Sequence, residues 1–275
     1  MITIELFYDC LSPFSYLAFL VLTRYESLWG VKLELRPVLL GGIMASTGNV
    51  PPMARPWAGA AAKVAGQDMA RCREHFNTNM LEPPSNFFGP DGPSDKRGLA
   101  RDFRYMRCLS ALSRLHPQLA LRKATKLVFE QIWAGERDPA GNAPMSEAVL
   151  HRILRESGLS VDEAGTVVAN IAAAETKAAL RSNTEDAVQR GAFGAPFIAV
   201  RGVPGHDEEM VFFGRYATRS TRAPSPLSTL STCGALLVLM RLTSRPPVHA
   251  SATALSSSHS RPSFRGTAPI RSVRQ

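Results

Sequence analysis

The chain has 275 residues, 45% of them hydrophobic, and a formal net charge of +9. That length holds one large domain or two modest ones, and no stretch supplies the roughly 18 uncharged apolar residues of a membrane span. The charge excludes more than it suggests. From Arg215 onward there are nine arginines, no lysine and no acidic residue, so the first 214 residues carry 23 basic side chains (32 less 9) against 23 acidic ones. A neutral body argues against a nucleic-acid or membrane-surface partner.

Four cysteines (Cys10, Cys72, Cys108, Cys233) have neither paired nor metal-site spacing, and six histidines are scattered. A reducing, intracellular compartment and no metal site are expected. The N-terminus, MITIELFYDC, lacks the charged n-region and apolar core of a signal peptide.

Ile2 to Tyr8 is short, β-branched and aromatic, which predicts a strand. Ser12-Pro13 then supplies a favoured N-cap and a favoured first helical residue. Apolar positions Phe14, Leu17, Leu20, Val21 and Tyr25 continue with a helical period, and Gly30 suits the C′ position. Val31 to Leu40 opens with strict alternation, a second strand. Such a β-α-β crossover implies a parallel pair.

From about 56 to 189 the character is helical, clearest over Ala120–Gly135 and Ser146–Ser157, and Pro/Gly-rich Leu81–Pro93 breaks it. Strand character returns at Phe197–Arg201 and Met210–Phe213, joined by a turn over 202–208, a hairpin. The fold class is therefore α/β: a sheet domain (1–55 and 190–214) with an inserted all-helical subdomain (56–189). A last helix should follow to cover the sheet. Instead, residues 215–275 hold 12 serines and nine arginines, a composition that predicts disorder; at most Leu227–Leu242 has the apolar content of a short helix.

Ser12-Pro13-Phe14-Ser15 has the spacing of a Cys-x-x-Cys redox pair, with hydroxyls at both sulfur positions. That motif within FYDCLSPFSYLAFLVLTRY, together with LRPVLLGGIMASTGN, the SNFF segment and NTEDAVQRGAFGAPFIAV, resembles the class kappa glutathione transferases. These are related to the glutathione-dependent 2-hydroxychromene-2-carboxylate isomerases and, by fold, to the bacterial disulfide oxidoreductases. The resemblance covers Met1 to Gly214 and implies a thioredoxin-like domain, a helical insertion and a homodimer.

It also implies roles. Glutathione, as co-substrate, supplies the sulfur that the protein lacks. A thiol reacts as its thiolate, and a helix N-terminus favours anions. By resemblance Ser12 is the catalytic serine, its hydroxyl donating to the glutathione thiolate. No G-x-S-x-G elbow surrounds it, so an acyl-transfer role is disfavoured. Pro13 and Phe14 belong to the same glutathione-binding turn. Phe14 either lines an apolar co-substrate pocket or simply packs. Ser15 stands where a resolving cysteine would be and reads as structural, and Cys10 reads as a buried strand-end thiol. Ala195-Pro196 matches the cis-proline loop, where Ala195 pairs with the cysteinyl backbone of glutathione, and Asn49 matches a glutathione-contacting asparagine.

Two departures from the family stand out. After Gly214 the family has Ser-Asp, a helix cap that binds the γ-glutamyl end; here Arg215-Tyr216 follow. A lysine that contacts the glycyl carboxylate has no clear match, with Ala58 at the expected spacing and Lys63 further on. An altered reading frame after Gly214 would explain the break, and impaired activity or folding would follow. Sequencing the transcript across the Gly214 codon tests the frame. The expected function is a kappa-type glutathione transferase acting on electrophiles or peroxides. The alternatives are the chromene-carboxylate isomerase and a non-catalytic chaperone or binding protein. Cytoplasm, mitochondrion and peroxisome are not distinguished.

Overall fold

The computed structural model describes residues 1–50, 58–91, 98–116 and 118–214. The expectations for 215–275, including a last helix or its absence, lie outside the described residues.

Strand β1 (Thr3–Tyr8) is buried along nearly its whole length. Helix α1 (Pro13–Trp29) begins where sequence signals place it: Ser12 is the N-cap, and its hydroxyl accepts the Ser15 N–H. It ends at Gly30, whose φ of 61° suits a residue without Cβ. Strand β2 (Lys32–Pro37) runs parallel to β1, with Thr3 opposite Lys32 and Tyr8 opposite Pro37. Strands β3 (Phe197–Arg201) and β4 (Met210–Phe213) form the hairpin, and β3 pairs antiparallel with β1. The sheet order is β2-β1-β3-β4.

Between β2 and β3 come α2 (Leu40–Thr47), α3 (Ala58–His75), α4 (Arg104–Leu115), α5 (Gln118–Trp133), α6 (Glu147–Glu156), α7 (Val161–Ala169) and α8 (Ala174–Gln189). Local caps mark several starts: Ser146 caps α6, and Ser160 with Glu163 forms a capping box on α7. One boundary departs from expectation. The second strand stops at Pro37 rather than Leu40. The Val38 N–H still bonds Tyr8 C=O, but the Leu39 N–H goes to Thr184 Oγ1 and the Leu40 N–H to Asp9, which turns the chain into α2.

Alternation along the sheet divides the core in two. Ile4, Leu6, Tyr8, Leu33, Leu35, Ile198 and Val200 share one cluster with α1, α4 and α5. At its centre Phe129 of α5 lies against Tyr8, Tyr16 and Phe19, and Tyr8 Oη is 2.6 Å from Thr125 Oγ1. On the other face Phe7, Phe197 and Ala199 pack with Val38, Ile43 of α2, Ala187 of α8 and Ala192. There the buried Glu5 carboxylate meets Arg190 at 2.8 Å, Arg201 at 2.9 Å and Arg36 at 3.6 Å. Burial of a charge is tolerated where cations surround it.

Candidate active site

The site forms where the end of β1, the first turn of α1, the end of α2 and the loop before β3 converge. Ser12 is nearly buried, at 5% exposure. Besides capping α1, its hydroxyl donates to the Ala195 carbonyl at 3.0 Å. The Ala195–Pro196 bond is cis. Asn49, just past α2, donates from Nδ2 to the Phe193 carbonyl at 2.7 Å and accepts the Val50 N–H at Oδ1. Ser12, Pro13, Ala195, Pro196 and Asn49 thus meet on one loop cluster, although 183 residues separate Ser12 from Ala195.

Phe14 is half-buried and packs on the main core, so packing is what the structure shows for it. Ser15 is fully buried, and its Oγ has no hydrogen-bond partner among the described residues; its N–H is the one that Ser12 caps. Cys10 is buried, and burial, then the neighbouring Asp9, pushes its thiol well above the ordinary range. It stays protonated and unreactive.

The first turn of α1 is electrostatically open to an anion. It contains no acidic residue. Pro13 has no N–H and Ser12 takes that of Ser15, which leaves the Phe14 N–H without an intrahelical acceptor. A sulfur anion placed there would meet the Ser12 hydroxyl, an amide donor and the positive end of the helix.

Two supports were not legible from the motif. Asp9 is 2% exposed and accepts the Leu11 N–H (3.0 Å) and the Leu40 N–H (2.8 Å) on its carboxylate. Its backbone carbonyl accepts the Ser12 N–H at 3.0 Å. Burial raises the carboxyl to about pH 6 against the two amide bonds, which lower it. Trp133 of α5 donates its indole N–H to the Cys10 carbonyl at 2.8 Å, and Phe87 of the SNFF segment packs on the same indole. The sequence signal for Asp9 was an acid set among the apolar Tyr8, Cys10 and Leu11.

A cavity of about 580 Å³ opens along Pro83–Pro90 and Asn142, and none of the expected site residues lines it. Among the described residues no group of three or more His, Cys, Asp or Glu is placed to hold a metal, and no helix is long and apolar enough to cross a membrane. Gly214 is described, its N–H on the Pro196 carbonyl. Arg215 and Tyr216 lie outside the described residues, as does the side chain of Ala58; Lys63 is exposed on α3.

Known proteins resemble the chain in sequence and in fold. The DSBA-like thioredoxin domain matches residues 3–217. The chain is 34% identical to glutathione S-transferase kappa 1 of Homo sapiens over 203 residues, 74% of this chain and 82% of that protein. It is 34% identical to the Rattus norvegicus protein of the same name over 70% of this chain and 78% of that one. Among solved structures, a 2-hydroxychromene-2-carboxylate isomerase superposes with a TM-score of 0.57 at 18% identity, covering 77% of this chain and 88% of that one. A protein described as a probable DsbA oxidoreductase from Streptomyces coelicolor gives 0.52 at 15% identity, covering 91% and 94%. At those identities the two structures speak for the fold alone. The chain has a DSBA-like thioredoxin fold and belongs to the family of the kappa glutathione transferases.

Proposed function

We propose that this chain binds glutathione at the N-terminus of α1 and activates its thiol for attack on small electrophiles or peroxides, with Ser12 as the catalytic hydroxyl. One observation carries the reading: a nearly buried hydroxyl caps a helix that has no acid in its first turn, across from Ala195 and the cis-proline loop. Neither Ser12 nor Ser15 has a sulfur, so the reacting sulfur comes with the substrate.

Ser12 now donates to Ala195 C=O. Glutathione binding exchanges that bond. The Ser12 O–H turns to the sulfur, and Ala195 C=O accepts from the cysteinyl N–H instead, as an added strand would. The thiol loses its proton to solvent, and the helix N-terminus and the Ser12 hydroxyl stabilise the remaining thiolate. With an aryl halide, the thiolate forms the C–S bond and halide leaves with the electron pair of the broken bond. Pro13 and Phe14 shape the turn, and Asn49 holds the loop that receives the peptide.

A homodimer is the expected assembly, checked by light scattering. An intracellular location is supported by Cys10 and Cys108, which are free and buried. The isomerase reading has the fold likeness behind it, whereas the transferase reading has sequence identity over most of the chain.

The test is glutathione calorimetry with the ultraviolet thiolate band, on the parent and on Ser12→Ala. A hydrogen bond to a charged group contributes about 1.5–3 kcal/mol. The bound thiol should therefore titrate about 1–2 units higher in Ser12→Ala, and conjugation of 1-chloro-2,4-dinitrobenzene should fall about 10–100-fold. Parent protein that is folded and neither binds glutathione nor forms conjugate would overturn the reading.

A further inference from the structure

Among the described residues two carboxylates are buried, Glu5 at 3% and Asp9 at 2% exposure. Glu5 sits among three arginines. Asp9 has no ion pair among the described residues; its carboxylate oxygens take two backbone N–H groups, that of Leu11 in the turn before α1 and that of Leu40 at the start of α2. A buried acid without a cation needs a reason, because burial disfavours its charge.

The reason lies in a closed circuit of contacts. Asp9 Oδ2 holds the first amide of α2, and Asn49 at the far end of α2 holds Phe193 C=O. Two residues on, Ala195 C=O takes the Ser12 hydroxyl. The Ser12 N–H returns to the Asp9 carbonyl, and Asp9 Oδ1 holds the intervening Leu11 N–H. We propose that Asp9 is a positioning residue: its ionised carboxylate clamps the N-terminus of α2 to the Ser12 turn, and so sets the distance between Ser12, Asn49 and the cis-proline loop. The catalytic part of this inference rests on the glutathione reading; the circuit itself does not.

Ionisation matters because both carboxylate oxygens act as acceptors of N–H. A protonated Asp9 would turn an O–H donor toward one of those donors and release it. The titratable groups facing Asp9 are Tyr8 and Cys10 at the end of β1 and Tyr105 on α4, and burial pushes all three well upward, so they stay neutral. Helix α1 has no acid or base in its first turn, and α2 has no titratable residue. With a carboxyl raised to about 6, the circuit is closed at neutral pH and opens below it.

The experiment is a pH titration from 4.5 to 8 of the full chain, the Asp9→Asn variant and the Asn49→Ala variant. NMR with carbon-labelled aspartate and nitrogen-labelled serine, asparagine and glycine reads Asp9, Ser12, Asn49 and Gly194. In the parent, the Ser12 amide, the Asn49 side-chain amide and the Gly194 amide should shift with the Asp9 midpoint. In Asp9→Asn these shifts should vanish. Asn49 lies outside the core and is only partly buried, so Asn49→Ala should fold even if Asp9→Asn does not, and it should keep the Asp9 titration while weakening its echo at Gly194. With glutathione and the aryl halide, Asp9→Asn should lower kcat and raise KM for glutathione, about tenfold together in kcat/KM. It should also remove from the pH profile the step that follows the Asp9 midpoint and leave the limb of the bound thiol, which a purely structural loss would not do. Static Ser12 and Asn49 signals while Asp9 titrates would overturn the proposal, as would a pH profile in Asp9→Asn with the same shape as that of the parent. A parent that forms no conjugate sinks the glutathione reading, and the NMR arm then decides the clamp by itself.

Discussion

The N-termini of helices α1 and α2 both meet Asp9, and they are capped in opposite ways. At α1 the cap is the neutral hydroxyl of Ser12, and no acid follows in the first turn. At α2 no local side chain caps, and a buried carboxylate from 31 residues earlier, Asp9, takes the first amide. The dipole of each helix attracts an anion at its N-terminus. The difference shows how a chain reserves one such end for a substrate: it fills the other with its own charge and leaves the first with a donor that can turn.

The sharpest way to break the contrast is to give α1 the cap of α2. In Ser12→Asp a carboxylate stands within about 4 Å of the thiolate position, and like charges there cost about 4 kcal/mol at an effective dielectric of 20. Conjugation should drop on the order of 1,000-fold at pH 7.5, measured by steady-state kinetics.

Next in size is the stability cost of the α2 cap. Asp9 is raised in the folded state from 3.8 to about 6. The folded chain therefore holds this proton more tightly than the unfolded chain does, and stability falls as pH rises from about 4 to about 6. Above that window the full cost of the buried charge is present. Asp9→Asn never carries the charge, so its stability relative to the parent should improve by on the order of 2–3 kcal/mol between pH 4 and pH 7. Urea unfolding at both pH values measures it, and a constant difference would refute it.

Gly194 adjoins the residue that receives the Ser12 hydroxyl. A Cβ there would stand 2.9 Å from Phe213 Cζ, so Gly194→Ala must push the Phe213 ring. Overpacking of this kind costs about 1–3 kcal/mol, and thermal unfolding should show it. The smallest effect belongs to Asn49→Ala, which removes the side-chain bonds to the Phe193 carbonyl and the Val50 N–H. At about 1 kcal/mol, KM for glutathione should rise roughly fivefold with kcat changed less.

How legible each region was follows from how local its signals are. The ends of α1 were readable because Ser12, Pro13 and Gly30 act within one turn of themselves. Strands β3 and β4 were readable because β-branched and aromatic residues run between turn residues. Helix α2 was not: LGGIMAST has two glycines and a β-branched isoleucine, and Leu39 at its N-cap position cannot cap. Its stabilising partners, Asp9 and α8, are remote in sequence. Ser12, Asn49 and Ala195 were found through motif resemblance, and spacing alone would not have joined them. Asp9 sat inside the same motif unnoticed, because its role depends on an amide that only the fold brings near.

The place of β1 has a consequence for how the chain is made. It lies between β2 and β3, and β3 begins only at Phe197. Phe129, which roofs Tyr8, is itself more than a hundred residues downstream. At about 5–20 residues per second, roughly 10–40 seconds of synthesis separate β1 from its second neighbour. Through that interval a strongly apolar strand has one unpaired edge, the kind that pairs with other nascent chains. The central strand of this sheet is thus the first part made and one of the last completed. A chain stalled before Phe197 should be held by chaperones or lost to aggregation, whatever the later fate of its active site.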